Sequence, residues 1–240
     1  MRGEIMGLDK AYNQLDLIAE KNVINPSDIA LLINLSHHDD SEIRAYVAEL
    51  LVLANDIEAE RILITLSGDE DELVRVNACD SLSAFATTNT YKQLLKCILN
   101  DQSLLVKKYA ILSLIDIMNY VDADRNELSR LFEDLTQKDD ISIAASGFKG
   151  LYMMGEKEHL NNIISLLTTE DYRDRCTVVN ILGDIPENDN RDLILSALTK
   201  LRKTEKSEAV NSIIDKVIGE SKKDYIIGDI KSGSDWEGEK

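Results

Sequence analysis

The chain has 240 residues, 44% of them apolar but only 5% aromatic, and its 27 Lys and Arg face 44 Asp and Glu for a net charge of −17. That balance argues against nucleic acid, whose binding draws on a basic stripe and counterion release, and suits equally a basic protein partner, which such a field attracts and steers, and an acidic surface that only keeps the chain in solution. No apolar run reaches the roughly 18 residues of a bilayer span, and Cys79, Cys97 and Cys176 form no CxxC pair, so neither a membrane span, a disulfide framework nor a zinc site is signalled.

Residues 8–24 read as a helix with Leu8, Tyr12, Leu15 and Ile18 on one face. Beyond it, apolar pairs 16 residues apart recur as Leu35 and Leu51, Leu66 and Leu82, Ile98 and Leu114, Leu135 and Leu151, Leu166 and Leu182, and Leu201 and Val217. Such a period marks stacked helical hairpins, none of which buries its apolar stripe alone. Each begins with a first helix, as in Ile62, Leu63 and Leu66, then crosses an acidic elbow of turn and N-cap residues (SHHDDSE from Ser36, SGDEDE from Ser67, TQKDD from Thr136) and returns in a second helix. Arg44, Arg75, Lys107, Ala144, Arg175 and Val210 serve as equivalent anchors, at intervals of 31, 32, 37, 31 and 35 residues. Three residues after them stand Val47, Ala78, Ala110, Gly147, Val178 and Ile213, mostly small, which implies close stacking. Pro26 and Pro186 fall at junctions, where a missing N–H does no harm.

The expected organisation is a capping helix over residues 1–26, a hairpin array over 27–218 and a disordered acidic tail over 219–240 that holds the single tryptophan, Trp236. The N-terminal MRGEIMGLDKAY lacks the apolar run of a signal peptide, and a cytoplasmic chain, monomeric when free, is expected.

The stretches SGDEDELVRVNACDSLSAFA and HHDDSEIRAYVAELLVLA resemble the short HEAT-like repeat of the PBS-lyase type, whose pattern runs acidic elbow, Val-Arg, Ala-Ala, Leu and a small turn residue. The resemblance covers roughly residues 27–218 and implies an all-α, right-handed α-solenoid of about six hairpins with an N-terminal capping helix. It also implies a ladder of elbow acids and anchor bases between neighbouring repeats, which by position points to Asp39, Asp69, Asp101, Asp140 and Asp171 with Arg44, Arg75, Lys107 and Arg175. Ala144 departs from that pattern. On function the resemblance is nearly silent, because scaffolds, transport adaptors, immunity proteins, bilin lyases and a few enzymes share the repeat.

Chemical machinery is not evident. Deoxyhypusine hydroxylase, a HEAT-like enzyme, holds two irons with His-Glu dyads, whereas His37, His38 and His159 form none, so no metal or cofactor is expected and the histidines read as solvated elbow residues. The cysteines read as small core residues, and no glycine-rich phosphate loop occurs. No catalytic residue is assigned and the chain is expected not to be an enzyme. In this repeat family the second helices line the concave side, with outward positions two, five and nine residues after the anchor. The first set reads Tyr46, Asn77, Tyr109, Ser146 and Thr177, the second Glu49, Asp80, Leu112, Lys149 and Asn180, and the third Leu53, Ala84, Asp116, Met153 and Asp184. From these, Tyr46, Glu49, Asp80, Tyr109, Asp116, Met153 and Asp184 form the expected partner-binding set, aromatic anchors beside charges that guide encounter. The competing reading is a solvated face with incidental tyrosines. A non-enzymatic module gripping a basic protein, as an immunity protein does a toxin or nuclease, heads the functional readings; a scaffold subunit of a larger assembly and a bilin-lyase-like protein are the alternatives.

Overall fold

Polar side chains start most of the helices. The computed structural model describes residues 7–21, 23–54, 56–186 and 190–219, so the tail with Trp236 lies outside the described residues. The elements are α1 (Leu8–Ala19), α2 (Pro26–Leu35), α3 (Ser41–Leu50), α4 (Ile57–Leu66), α5 (Glu72–Ser81), α6 (Thr88–Asn100), α7 (Leu104–Ile117), α8 (Arg125–Thr136), α9 (Ile141–Met153), α10 (His159–Ser165), α11 (Tyr172–Gly183) and α12 (Arg191–Arg202), followed by α13 over 208–219. Among the described residues there is no strand. Asn25 and Asp28 form a reciprocal capping box around Pro26 at the start of α2, and Asp40, Asp56, Asp71, Thr87, Ser103, Asp140 and Asp171 accept backbone N–H bonds in the first turns of later helices. Part of the acidic composition is therefore spent on helix starts.

The chain divides into two compact units, Met1–Leu131 and Phe132–Lys240, with the division inside α8. In the first unit α2/α3, α4/α5 and α6/α7 are hairpins. Their second helices adjoin one another in the order α3, α5, α7, where Asn77 Nδ2 donates to the Ala45 carbonyl at 3.1 Å and Ser113 Oγ to that of Asp80 at 3.4 Å. The helix α1 extends this row: Tyr12 donates its hydroxyl to Glu42 at 2.8 Å and Tyr46 donates to Asp16 at 2.9 Å. Ala11, Leu15 and Ile18 are its buried residues, while Leu8, expected on the same face, is 44% exposed. In the row of first helices, buried Glu60 on α4 accepts from Thr87 and from Thr90, both of the α6 hairpin.

The second unit contains the end of α8 with α9, then α10/α11 and α12/α13. Here α8 and α9 approach backbone to backbone: a Cβ on Gly147 would lie 2.9 Å from the Phe132 carbonyl, and one on Gly150 2.4 Å from the Phe132 ring. On α9, Ser146 and Lys149 are buried, although their register places them outward, and glycine at 147 and 150 leaves the room that α8 occupies. After α9 the chain turns through Gly155, whose φ of +111° disfavours any side chain.

The leucine pairs are buried except Leu166 and Leu201, which are half-buried. Leu166 opens a 3₁₀ turn over Leu166–Thr168, and the tighter winding brings Leu167, 5% exposed, into the core in its place.

Candidate functional site

The most regular side-chain arrangement is the ladder on the elbow side. Arg44 Nη1 donates to the carbonyls of His38 and Asp39 in its own elbow, while Nε and Nη2 hold both Asp69 oxygens of the next at 2.8 Å. Arg75 repeats this with the carbonyls of Asp69 and Glu70 and the carboxylate of Asp101, and Arg175 with those of Thr169 and Glu170 and the carboxylate of Glu205. Each acid also accepts from its own elbow: Asp69 from the Asp71 N–H, Asp101 from Ser103, and Glu205 from Lys206 and Ser207. One carboxylate thus shapes a turn and ties it to the preceding hairpin, and bidentate guanidinium geometry makes such pairs strong when shielded from water.

Three expectations about the ladder need correction. Asp140 and Asp171 cap α9 and α11 and do not pair with anchors, because the ladder acid sits two residues before the cap. Counting back from each cap gives His38, Asp69, Asp101, Lys138, Thr169 and Glu205, so no acid stands at this position in the first, fourth or fifth elbow. In the first, His38 takes the turn-forming role: it is buried, not solvated, and its Nδ1 accepts from the Asp40 N–H at 3.0 Å. In the sixth hairpin the anchor is Asn211 and not Val210, for Asn211 Nδ2 donates to the Glu205 carbonyl at 3.2 Å as the arginines do six residues back.

The Glu205 carboxyl is held down from 4.5 to about 2, chiefly by Arg175 and then, against the opposing effect of burial, by the Ser207 N–H. A lowered carboxyl pKa stabilises the fold fully above its unfolded value near 4.5, and the contribution is lost as pH falls toward 2. The Glu205→Gln variant is therefore expected to be less stable than the parent by about 3 kcal/mol at pH 7, and the gap should close between pH 4.5 and 2 in denaturant titrations.

The partner-binding set lies on the second helices. In the first unit Tyr46 and Glu49 stand on α3, Asp80 on α5, and Tyr109 and Asp116 on α7, so neighbouring helices gather all five in one row. Glu49, Asp80 and Asp116 are exposed, while both tyrosines are half-buried. Burial raises the Tyr109 phenol above its usual range and the nearby Asp80 charge adds to it; Lys108 Nζ lies 4.8 Å from the Tyr109 ring centre. Tyr46 is raised by burial and by its bond to Asp16, which commits its hydroxyl to α1. In the second unit Met153 is half-buried at the end of α9, and exposed Asp184, following α11, meets Lys149 Nζ at 3.4 Å. That buried lysine is a feature the outward register did not anticipate.

His159 stacks on Phe148 with ring centres 5.7 Å apart and places Nε2 3.2 Å from Glu156, so it is not a solvated elbow residue. Its ligand atom and those of Glu156 and Glu158 lie within 4.8 Å of one another. Among the described residues no helix is long and apolar enough to cross a membrane.

Stacked hairpins whose elbows are laced by arginine and whose second helices adjoin side by side define the class of helical-repeat proteins. Residues 29–115 match the family model for HEAT repeats. It is similar in structure to the CpcE and CpcF complex of phycocyanin lyase from Nostoc sp. PCC7120, with a TM-score of 0.60 at 13% identity over 91% of this chain and 96% of that one. It is likewise similar to the Escherichia coli protein YibA, with a TM-score of 0.52 at 15% identity over 96% of this chain and 82% of that one. At such identities these likenesses carry the fold alone. No curated protein sequence matches the chain.

Proposed function

We propose that this chain is a non-enzymatic binding module that holds a basic protein against its second helices, in the manner of an immunity protein covering the positively charged substrate channel of a toxin or nuclease. The observation that carries the reading is the row formed by α3, α5 and α7, where exposed Glu49, Asp80 and Asp116 accompany half-buried Tyr109 and Tyr46. Carboxylates on such a face raise the encounter rate with a cationic surface, and a partly covered tyrosine supplies rigid contact area at small entropic cost. In the second unit, taken by itself, the expected set is Met153 with Asp184. Inhibition follows from occlusion and charge, with no bond made or broken by this chain.

The experiment is charge reversal. A variant with Glu49→Lys, Asp80→Lys and Asp116→Lys, all at exposed positions, should keep its helical spectrum and thermal transition. It is expected to lose affinity for a basic partner roughly a hundredfold or more, because like charges across an interface cost several kcal/mol. A partner retained by the parent chain and equally by the variant, with unchanged salt dependence, would refute this face as the site.

A further inference from the structure

Helix α7 reads LLVKKYAILSLIDI, with apolar side chains on all sides of it. A helix in a stack needs one apolar side for the core, and Val106, Ala110, Ile111, Leu114 and Ile117 supply it, all of them buried. The surplus lies on another face: Leu105, Tyr109 and Leu112 follow one another at i, i+4 and i+7, with Leu105 42% exposed and the other two half-buried. A helix that is apolar all round is ordinarily covered all round, and this one is not.

Leu73 of α5 widens the stripe. Ser103 donates its hydroxyl to Glu72 at the starts of α7 and α5, and Ser113 Oγ reaches the Asp80 carbonyl at 3.4 Å further along, so the two helices run side by side. Leu73 stands two residues before Arg75 as Leu105 stands two before Lys107; it therefore lies beside the start of the stripe, and it is 52% exposed. The charges around these residues decide what fits them. Exposed Glu72 lies at the elbow end and exposed Asp80 and Asp116 toward the other, while Lys107 and Lys108 of α7 are half-buried, the latter with its ammonium 4.8 Å from the Tyr109 ring centre. An apolar strip about two helical turns long and fringed by carboxylates is complementary to a helix that carries apolar residues on one side and Lys or Arg beside them.

We propose that Leu105, Tyr109 and Leu112, with Leu73, seat a cationic amphipathic helix of the partner. The inference rests on the reading of α3, α5 and α7 as the binding face and adds the kind of element that this face takes. Apolar residues of the incoming helix, spaced as those of α7 are, meet the stripe, and its cations meet Glu72, Asp80 and Asp116.

The test uses the full chain and a fluorescent synthetic peptide of leucine and lysine, about four helical turns long with its leucines on one face, beside a peptide of the same composition scrambled so that the leucines share no face. By anisotropy the patterned peptide is expected to bind at least about tenfold tighter than the scrambled one, and Leu73→Ser with Leu105→Ser should weaken it about tenfold without changing the salt dependence. Leu99→Ser, 64% exposed on the first helix α6, should leave binding as it was, and both serine variants should keep the parent's helical spectrum. Equal affinity for the two peptides, or for the patterned peptide with and without the Leu73→Ser and Leu105→Ser changes, would overturn the amphipathic helix. If Asp80→Lys with Asp116→Lys still abolished binding in that case, the acidic face would stand without it; if those changes too had no effect, both readings would fall. Concentration-dependent self-association of the parent that the serine pair removes would give the stripe to a second copy and overturn the proposal as well.

Discussion

The Arg44→Ala variant is expected to lose about 3–4 kcal/mol of unfolding free energy, a large share of what a domain of this kind holds. Both partners are shielded, with side-chain exposures of 9% for Arg44 and 11% for Asp69, so deletion of the guanidinium strands a carboxylate poorly served by water. It also orphans the His38 and Asp39 carbonyls that Nη1 satisfies. The contrast is Arg61→Ala, whose pair with Glu58 is 70% and 43% exposed on one helix and should matter by about 0.5 kcal/mol or less. Urea titrations of the two variants side by side check the claim, and equal costs would mean that the ladder is decoration.

Gly150→Ala should destabilise the second unit by about 2–3 kcal/mol, although alanine is favoured over glycine inside a helix by about 1 kcal/mol. The sign is set by contact: the new Cβ would lie 2.4 Å from Cδ1 of Phe132, a ring with no exposed surface and no room to retreat. Shrinking the ring supplies the second arm. In Gly150→Ala with Phe132→Leu the two costs should fall short of additive by about 1–2 kcal/mol, since the leucine vacates space that the methyl fills. Gly68→Ala, whose Cβ would meet nothing nearer than 3.6 Å, should stay within about 0.5 kcal/mol of the parent. Thermal melts of the parent, Gly150→Ala, Phe132→Leu, their double and Gly68→Ala decide it, and a stabilised Gly150→Ala would show that α8 and α9 are not packed as described.

The helices were legible because burial in a hairpin stack is periodic. Leucines such as Leu51, Leu82 and Leu114 must meet a neighbour once per repeat, and the 16-residue spacing to their first-helix partners records the elbow between. The arginines were legible for the same reason, since one geometry recurs at Arg44, Arg75 and Arg175. Their acids were less so. In a run such as Asp69, Glu70, Asp71 the chemistry of a cap and of a ladder rung is identical, and only counting back two positions from the cap tells them apart. Glu205 escaped notice because its elbow is basic and irregular, yet that count finds it.

At the candidate site the second-helix positions could be listed from register, and Glu49, Asp80 and Asp116 are exposed as that register requires. Lys149 and Ser146 could not be placed, because their burial depends on neighbouring elements, such as Asp184 after α11, that no period encodes. The hold of Asp16 on Tyr46 joins a hairpin to α1, and the bond from Asn77 to the Ala45 carbonyl joins two hairpins; such contacts leave no spacing to read.

The direct measurement for the binding account is site-specific photo-crosslinking in an extract of the source organism, with the reactive residue placed either at Tyr109 on α7 or at exposed Leu99 on the first helix α6. The expected result is a single adduct with a basic protein from position 109, weakened by added salt and by the Asp80→Lys and Asp116→Lys changes, and none from position 99. Adducts from position 99 alone, or from 109 with no dependence on salt or on those aspartates, would contradict it.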